Sequence, residues 1–147
     1  DAMCQIAIAA FRRVGLNVDV QTTDWSTVTQ RRNSKEPLDK GGWSLFPSGF
    51  PAVDYGNPVL AGAMRTNGNA AWVGWPDNTK LEALRESWID STDPAEQKRI
   101  SEQIQLECFR YVPYVPLGQY IPGSAWRSNI SGLLAGPAPV FWNARRG

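Results

Sequence analysis

Histidine is absent and cysteine nearly so: Cys4 and Cys108 are the two thiols of the 147-residue chain. Without imidazole the familiar serine, cysteine and metal centres lose their base or their ligand, and two thiols so far apart make no compact ligand group. A disulfide stays open to them, but each sits in an apolar helical stripe, which favours free, buried thiols. Excess charge is missing too. Fifteen Lys and Arg face fourteen Asp and Glu for a formal net charge of +1, so neither a nucleic-acid surface nor an acidic tail is indicated. The doublets Arg12-Arg13, Arg31-Arg32 and Arg145-Arg146 read as solvated faces or helix ends. No apolar run approaches the roughly 18 residues that span a bilayer. No phosphate loop is complete, since Gly41-Gly42 precedes Trp43, and Ser48 lacks a Gly-x-Ser-x-Gly setting.

An initiating methionine is lacking as well, and Asp1 leads at once into a helical pattern with no basic region or cleavage site. The expectation is a piece of a longer polypeptide whose targeting signal lies upstream. Its length suffices for one domain with a real core. Met3, Ile6, Ala7, Ala10, Phe11 and Val14 recur at helical spacing up to Gly15, which predicts an amphipathic helix with a glycine stop. Leu16, Val18 and Val20 then alternate with polar residues to Thr22, predicting a strand with those three inward. Thr23 or Asp24 can cap a second helix running to Arg32, with Trp25, Val28 and Thr29 inward. Trp43, Leu45 and Phe46 predict a short buried strand, and a helix between two strands favours parallel pairing.

A third helix is predicted from Pro76-Asp77, with Leu81, Leu84 and Trp88 on one face. Asp93, Pro94 and Glu96 form a stronger start signal, with Glu96 reaching back to the cap, for a fourth helix striped by Ile100, Ile104, Cys108 and Tyr111 or Val112 and ending before Pro113. Pro113, Pro116 and Pro122 lack ladder donors, so Tyr111 to Gly123 reads as an edge or crossing segment. After Gly136-Pro137-Ala138-Pro139, the run Val140, Phe141 and Trp142 needs an apolar partner, either elsewhere in the parent or in a second copy.

The rest of the chain is arranged around residues 43–58, WSLFPSGFPAVDYGNP. Asp54 stands there among Phe50, Val53 and Tyr55, in an irregular stretch that continues to about Pro76 and carries Trp72 and Trp75. A carboxylate beside aromatic rings on a long loop suits a ligand-binding rim, where a desolvated ammonium would gain a charge-assisted hydrogen bond and a cation–π contact. Two plainer roles stay open. Asp54 can take the amides of its own turn, and the tryptophans can serve only to anchor the loop. Asp54, Asp77, Glu82 and Glu86 also permit an acid/base pair or a cation site on composition, but they equally read as a loop acid, a cap and a charged helix face.

The succession FRRVGLNVDVQTTDWSTVTQRR, the Trp-led segment with AVDYGNP, LEALRESWIDSTDPAEQKRISEQIQ, YVPYVPLGQY and the ending GPAPVFWNARR resembles the C-terminal portion of the dipeptide, oligopeptide and nickel substrate-binding proteins of ABC importers, the extracellular solute-binding proteins of family 5. The resemblance covers essentially the whole chain and implies an α/β fold: the C-terminal lobe fragment of a two-lobed periplasmic binding protein of the peptide-binding type. Residues 1–113 would form most of that lobe, with the long loop 47–76, and residues 114–147 would return toward the absent N-terminal lobe. The implied setting is periplasmic, or tethered outside the membrane. The implied partners are a short peptide or other small solute and an ABC permease; the uncovered apolar end admits a second copy of the fragment, and the charge balance argues against nucleic acid.

By the same resemblance the chain is no enzyme, needs no cofactor or metal, and uses Asp54 to meet a peptide's free amino terminus. Phe50, Tyr55, Trp72 and Trp75 would line the cleft. Nickel, haem, sugars and opines are also solutes of the family. Two other readings stand beside this one: a protein-interaction domain without a solute, and a hydrolase pairing Asp54 with Glu82 or Glu86.

Overall fold

The structure, a computed structural model, describes residues 2–121, 123–136 and 140–147. Its order comes from two helices, α3 (Thr79–Asp90) and α4 (Pro94–Tyr111). Asp93 caps α4 by accepting from the Ala95 amide at 3.1 Å, and Pro94 occupies the first helical position, where a missing donor costs nothing. Glu96 does not reach back to the cap; both its oxygens are held by Arg99, at 2.6 and 2.8 Å. The helix ends as expected, at Tyr111, with Val112 in the left-handed region at φ 55° before Pro113.

The start of α3 is corrected by two residues. Asn78, not Pro76-Asp77, is its cap, accepting from the Leu81 amide at 3.0 Å. Pro76 and Asp77 are committed elsewhere: the Pro76 carbonyl accepts from Gly68, and the Asp77 amide donates to the Tyr111 hydroxyl at 2.8 Å. Leu81, Ile100 and Ile104 meet between the two helices as the buried core, with Met64, Leu84, Trp88 and Cys108 packed around them. Each such aliphatic side chain contributes about 1.5–3 kcal/mol on burial. Lys80 and Asn78 donate to Glu107 at 2.6 and 3.1 Å along the same seam, and these bonds hold its carboxyl below the ordinary range.

The other two helices precede the long loop. Helix α1 (Ala2–Arg13) is followed by Gly15, whose φ of 87° is a conformation that favours glycine, and α2 (Trp25–Arg31) is capped by Asp24 as expected. The predicted apolar face of α1 is only half covered. Met3, Ala7 and Phe11 are half-buried, while Ile6 and Val14 are 69% and 75% exposed. Trp25, expected inward, is exposed too, although Val28 and Thr29 are half-buried.

Both predicted strands are corrected. Residues 16–22 and 43–46 form no ladder, and Leu16, Val20 and Leu45 are exposed. An alternating segment becomes a strand only when an edge is there to pair with it, and among the described residues none is offered. What holds 43–46 instead is a turn: the Trp43 indole donates to the Arg32 carbonyl at 3.0 Å, and Gly42 sits so close to the Glu36 carbonyl that a Cβ would lie 1.8 Å from it. The only sheet among the described residues is the antiparallel pair β1 (Ile130–Ser131) and β2 (Arg145–Arg146). The expected parallel sheet is therefore not formed, and the architecture is mixed but mostly helical.

The segment after α4 is irregular up to residue 121, in keeping with its prolines; Pro122, Pro137, Ala138 and Pro139 lie outside the described residues. Phe141 and Trp142 are exposed, the latter at 93%. Cys4 and Cys108 are free and half-buried. No helix among the described residues is long and apolar enough to cross a membrane.

Ile104→Ala is expected to lower stability by about 2–5 kcal/mol, whereas Ile6→Ala should change it by no more than about 0.5 kcal/mol. Denaturant unfolding of both variants checks this, and equal losses would place the core elsewhere.

Candidate functional site

Pro51 opens a single 3-10 turn over Ala52–Tyr55. The Asp54 amide donates to the Pro51 carbonyl at 3.0 Å and the Gly56 amide to that of Val53 at 3.2 Å. The turn's amides thus bind its own carbonyls. The Asp54 carboxylate, half-buried, accepts no hydrogen bond and makes no ion pair among the described residues. Asn57, three residues on, does use its side chain locally, accepting from the Val59 and Leu60 amides at 2.9 and 3.0 Å.

Beside Asp54 the aromatic side chains stand in a continuous row. Trp43 meets Phe46 at 4.9 Å between ring centres, Phe46 meets Trp72 at 5.7 Å, and Trp72 meets Phe50 at 5.3 Å. Phe50 then meets Tyr55 at 5.6 Å, and Tyr55 meets Tyr114 at 6.0 Å. The first four pairs are edge-to-face, the arrangement the ring quadrupoles favour, worth about 0.5–1.5 kcal/mol each. Three of the four predicted wall residues, Phe50, Tyr55 and Trp72, are consecutive in this row. A cation stands over the middle of the row: the Arg32 guanidinium carbon lies 5.9 and 5.5 Å from the ring centres of Phe46 and Trp72, and 5.8 Å from that of Trp25 outside it.

Trp75 is not in the row. With φ at 47°, it turns away to lie under the Lys35 ammonium, 4.4 Å from its ring. It lines a separate cleft of about 250 Å³ with Ser34, Glu36, Trp43 and Ser44.

No protein-family model matches the chain. It is 34% identical over 142 residues to the probable peptide ABC transporter periplasmic-binding protein y4tO of Sinorhizobium fredii, an alignment that covers 97% of this chain and 27% of that relative. The chain is a homologue of a periplasmic-binding protein. It spans about a quarter of that relative's length, in keeping with the C-terminal portion that its motifs resemble.

Set beside this relationship, the acidic side chains divide clearly. Glu82 is committed to Arg85, 3.0 and 3.1 Å from its two oxygens, and to the Thr66 amide at 2.6 Å. Glu86 is exposed on the helix, and Asp77 is tied through its backbone to Tyr111. Among the described residues no group of three or more acidic or thiol side chains converges that could hold a metal. Asp54 is the acid at the aromatic row whose carboxylate makes no hydrogen bond or ion pair among the described residues.

Sequence reasoning missed Trp43, Phe46, Tyr114 and Arg32 as neighbours of the site. Tyr114 was visible only as part of a proline-rich run, and no spacing brings it to Tyr55. Those two tyrosines also border a cavity of about 470 Å³ with Met64, Ile104 and Phe109. Burial pushes both phenols up, reinforced at Tyr55 by the negative charges on Tyr114 and Asp54, and at Tyr114 by Cys108.

A phenol kept neutral in the folded state holds its proton beyond the point where the unfolded chain releases it. Stability should therefore be fully present below about pH 10 and fall as pH rises through that range. Ultraviolet titration should show a late tyrosine step that vanishes in the Tyr55→Phe/Tyr114→Phe double variant; a late step surviving there would refute the assignment.

Proposed function

We propose that this chain is most of the C-terminal lobe of an extracytoplasmic solute-binding protein that captures short peptides for an ABC importer. Residues 1–113 would supply the lobe and 114–147 would run back toward its partner lobe. The observation that carries the reading is the unpartnered Asp54 carboxylate at the edge of the ring row, in a chain homologous to a probable peptide ABC transporter periplasmic-binding protein.

Asp54 accepts from the peptide's terminal ammonium. Because it is only half-buried, it tolerates the empty state without a partner, and a closing lobe completes its desolvation when the ligand arrives. Exclusion of water then strengthens the ion pair, and the rings of Phe50, Tyr55 and Trp72 add apolar and cation–π contact. Trp75 extends the wall through the neighbouring cleft. Binding is noncovalent and involves no catalysis, cofactor or metal. The ligand favours the closed form by contacts present only there. The closed protein, periplasmic or tethered outside the membrane, delivers its solute to a permease.

The exposed Ile121, Phe141 and Trp142 favour a second role in protein contact. In this reading the other lobe, or a second copy, meets them.

Asp54→Asn should weaken a peptide with a free amino terminus by at least about 1.5 kcal/mol, the low end for a hydrogen bond to a charged group. Isothermal titration of the intact protein carrying this chain measures it. Equal affinities for the two proteins would overturn the amine assignment.

A further inference from the structure

Arg85 projects from the middle of α3 and is 6% exposed. A buried guanidinium needs both a counter-charge and acceptors for its fixed donors. The counter-charge is Glu82, one helical turn earlier, which takes Arg85 Nη1 on both oxygens. The acceptors are backbone carbonyls of the long loop: Nε donates to Pro58 at 3.1 Å and Nη2 reaches Val59 at 3.5 Å. The same Glu82 also accepts from the amide of Thr66, which is fully buried and whose hydroxyl donates to the Asn78 carbonyl at 3.0 Å. One part-buried ion pair thus fastens the loop to α3 at two places, residues 58–59 and residue 66.

The first of these places matters for the site. Only Tyr55, Gly56 and Asn57 separate Asp54 from Pro58, and those residues are themselves bonded. The Gly56 amide closes the 3-10 turn on Val53, and the Asn57 side chain caps the turn that begins at Pro58. The stretch between the clamp and the carboxylate is therefore short and tied by its own hydrogen bonds. The Asp54 carboxylate has no hydrogen bond of its own among the described residues, so its position is inherited from the backbone on either side.

We propose that Arg85 is the positioning residue of the amine-binding subsite: through the Pro58 and Val59 carbonyls it sets where the Asp54 carboxylate stands. This rests on the peptide-binding reading above. Arg85 does not touch the ligand. Lysine in its place keeps the charge beside Glu82 but loses the planar fork that serves Glu82 and two carbonyls together.

The test is a double-mutant cycle on the intact protein that carries this chain. Wild type, Arg85→Lys, Asp54→Asn and the double variant are titrated calorimetrically with trialanine and with N-acetyl-trialanine. Wild type should prefer the free amine. Arg85→Lys should cut that preference by about fivefold or more, and it should cut it no further once Asp54 is Asn, because the two residues act as one unit. A merely structural role would weaken both peptides alike and leave the preference unchanged, and that outcome overturns the proposal while leaving the binding reading intact. So does an undiminished effect of Arg85→Lys in the Asp54→Asn background. No trialanine binding by wild type, or equal affinity for the two peptides, overturns the reading and the positioning role together. Should Arg85→Lys fail to fold, Asn57→Ala loosens the same segment outside the buried pair and must lower the preference in the same way; an unchanged preference there also overturns the proposal.

Discussion

The contact of Leu81 with Ile100 and Ile104 is what the rest of the chain hangs on. It joins α3 to α4 through side chains that lose nearly all their water contact, and no other pair of helices in the described residues shares such a core. The loop that carries the candidate site is not packed on its own hydrophobic centre. Its Met64 joins the helix seam, and its carbonyls are held by Arg85. Stability of the helix pair and geometry of the loop are therefore coupled through one surface of α3.

Away from that seam, order is kept by rings and cations rather than by a sheet. Short edge-to-face steps from Trp43 to Tyr55 link residues from distant parts of the sequence, and Arg32 stacks against three rings at once. Such contacts have directional preference but no repeating ladder, so they can stabilise an irregular loop in which prolines and glycines would break a strand. They also leave ring faces and edges beside a carboxylate with no internal partner.

The exposed apolar residues form a different population. Ile6 and Val14 on α1, Leu16 and Val20 after it, and Phe141 with Trp142 near the other end carry patterns that normally mark interior faces. In this chain they have too few apolar neighbours to be covered. The predicted strand over 16–22 belongs here as well: its alternation is intact, but a strand is a pairing between segments, and the pairing edge is missing from the described residues. Local pattern recorded a preference that the tertiary context did not satisfy.

Three of the helix ends were legible from local signals, whereas the start of α3 was placed too early although its cap, Asn78, is local as well. Asp24, Asp93, Pro94 and Gly15 act on amides or dihedrals within a few residues of themselves, so the composition of a short window was enough to place the ends of α1, α2 and α4. The core stripe of Ile100, Ile104 and Cys108 was legible for the same reason, being a period of the helix itself. The capping role given to Glu96 was not, because Arg99 competed for it at the same range. For the site, the sequence by itself determined that Asp54 lies in an irregular Pro- and Gly-rich stretch with aromatic residues close to it along the chain. Only the tertiary structure decided that Phe50, Tyr55 and Trp72 form one row while Trp75 stands apart, that Tyr114 and Arg32 join them, and that Glu82 is occupied and Asp54 is not. Apart from the Glu82–Arg85 pair, which lies within one helical turn, those outcomes depend on contacts that spacing along the chain does not reveal.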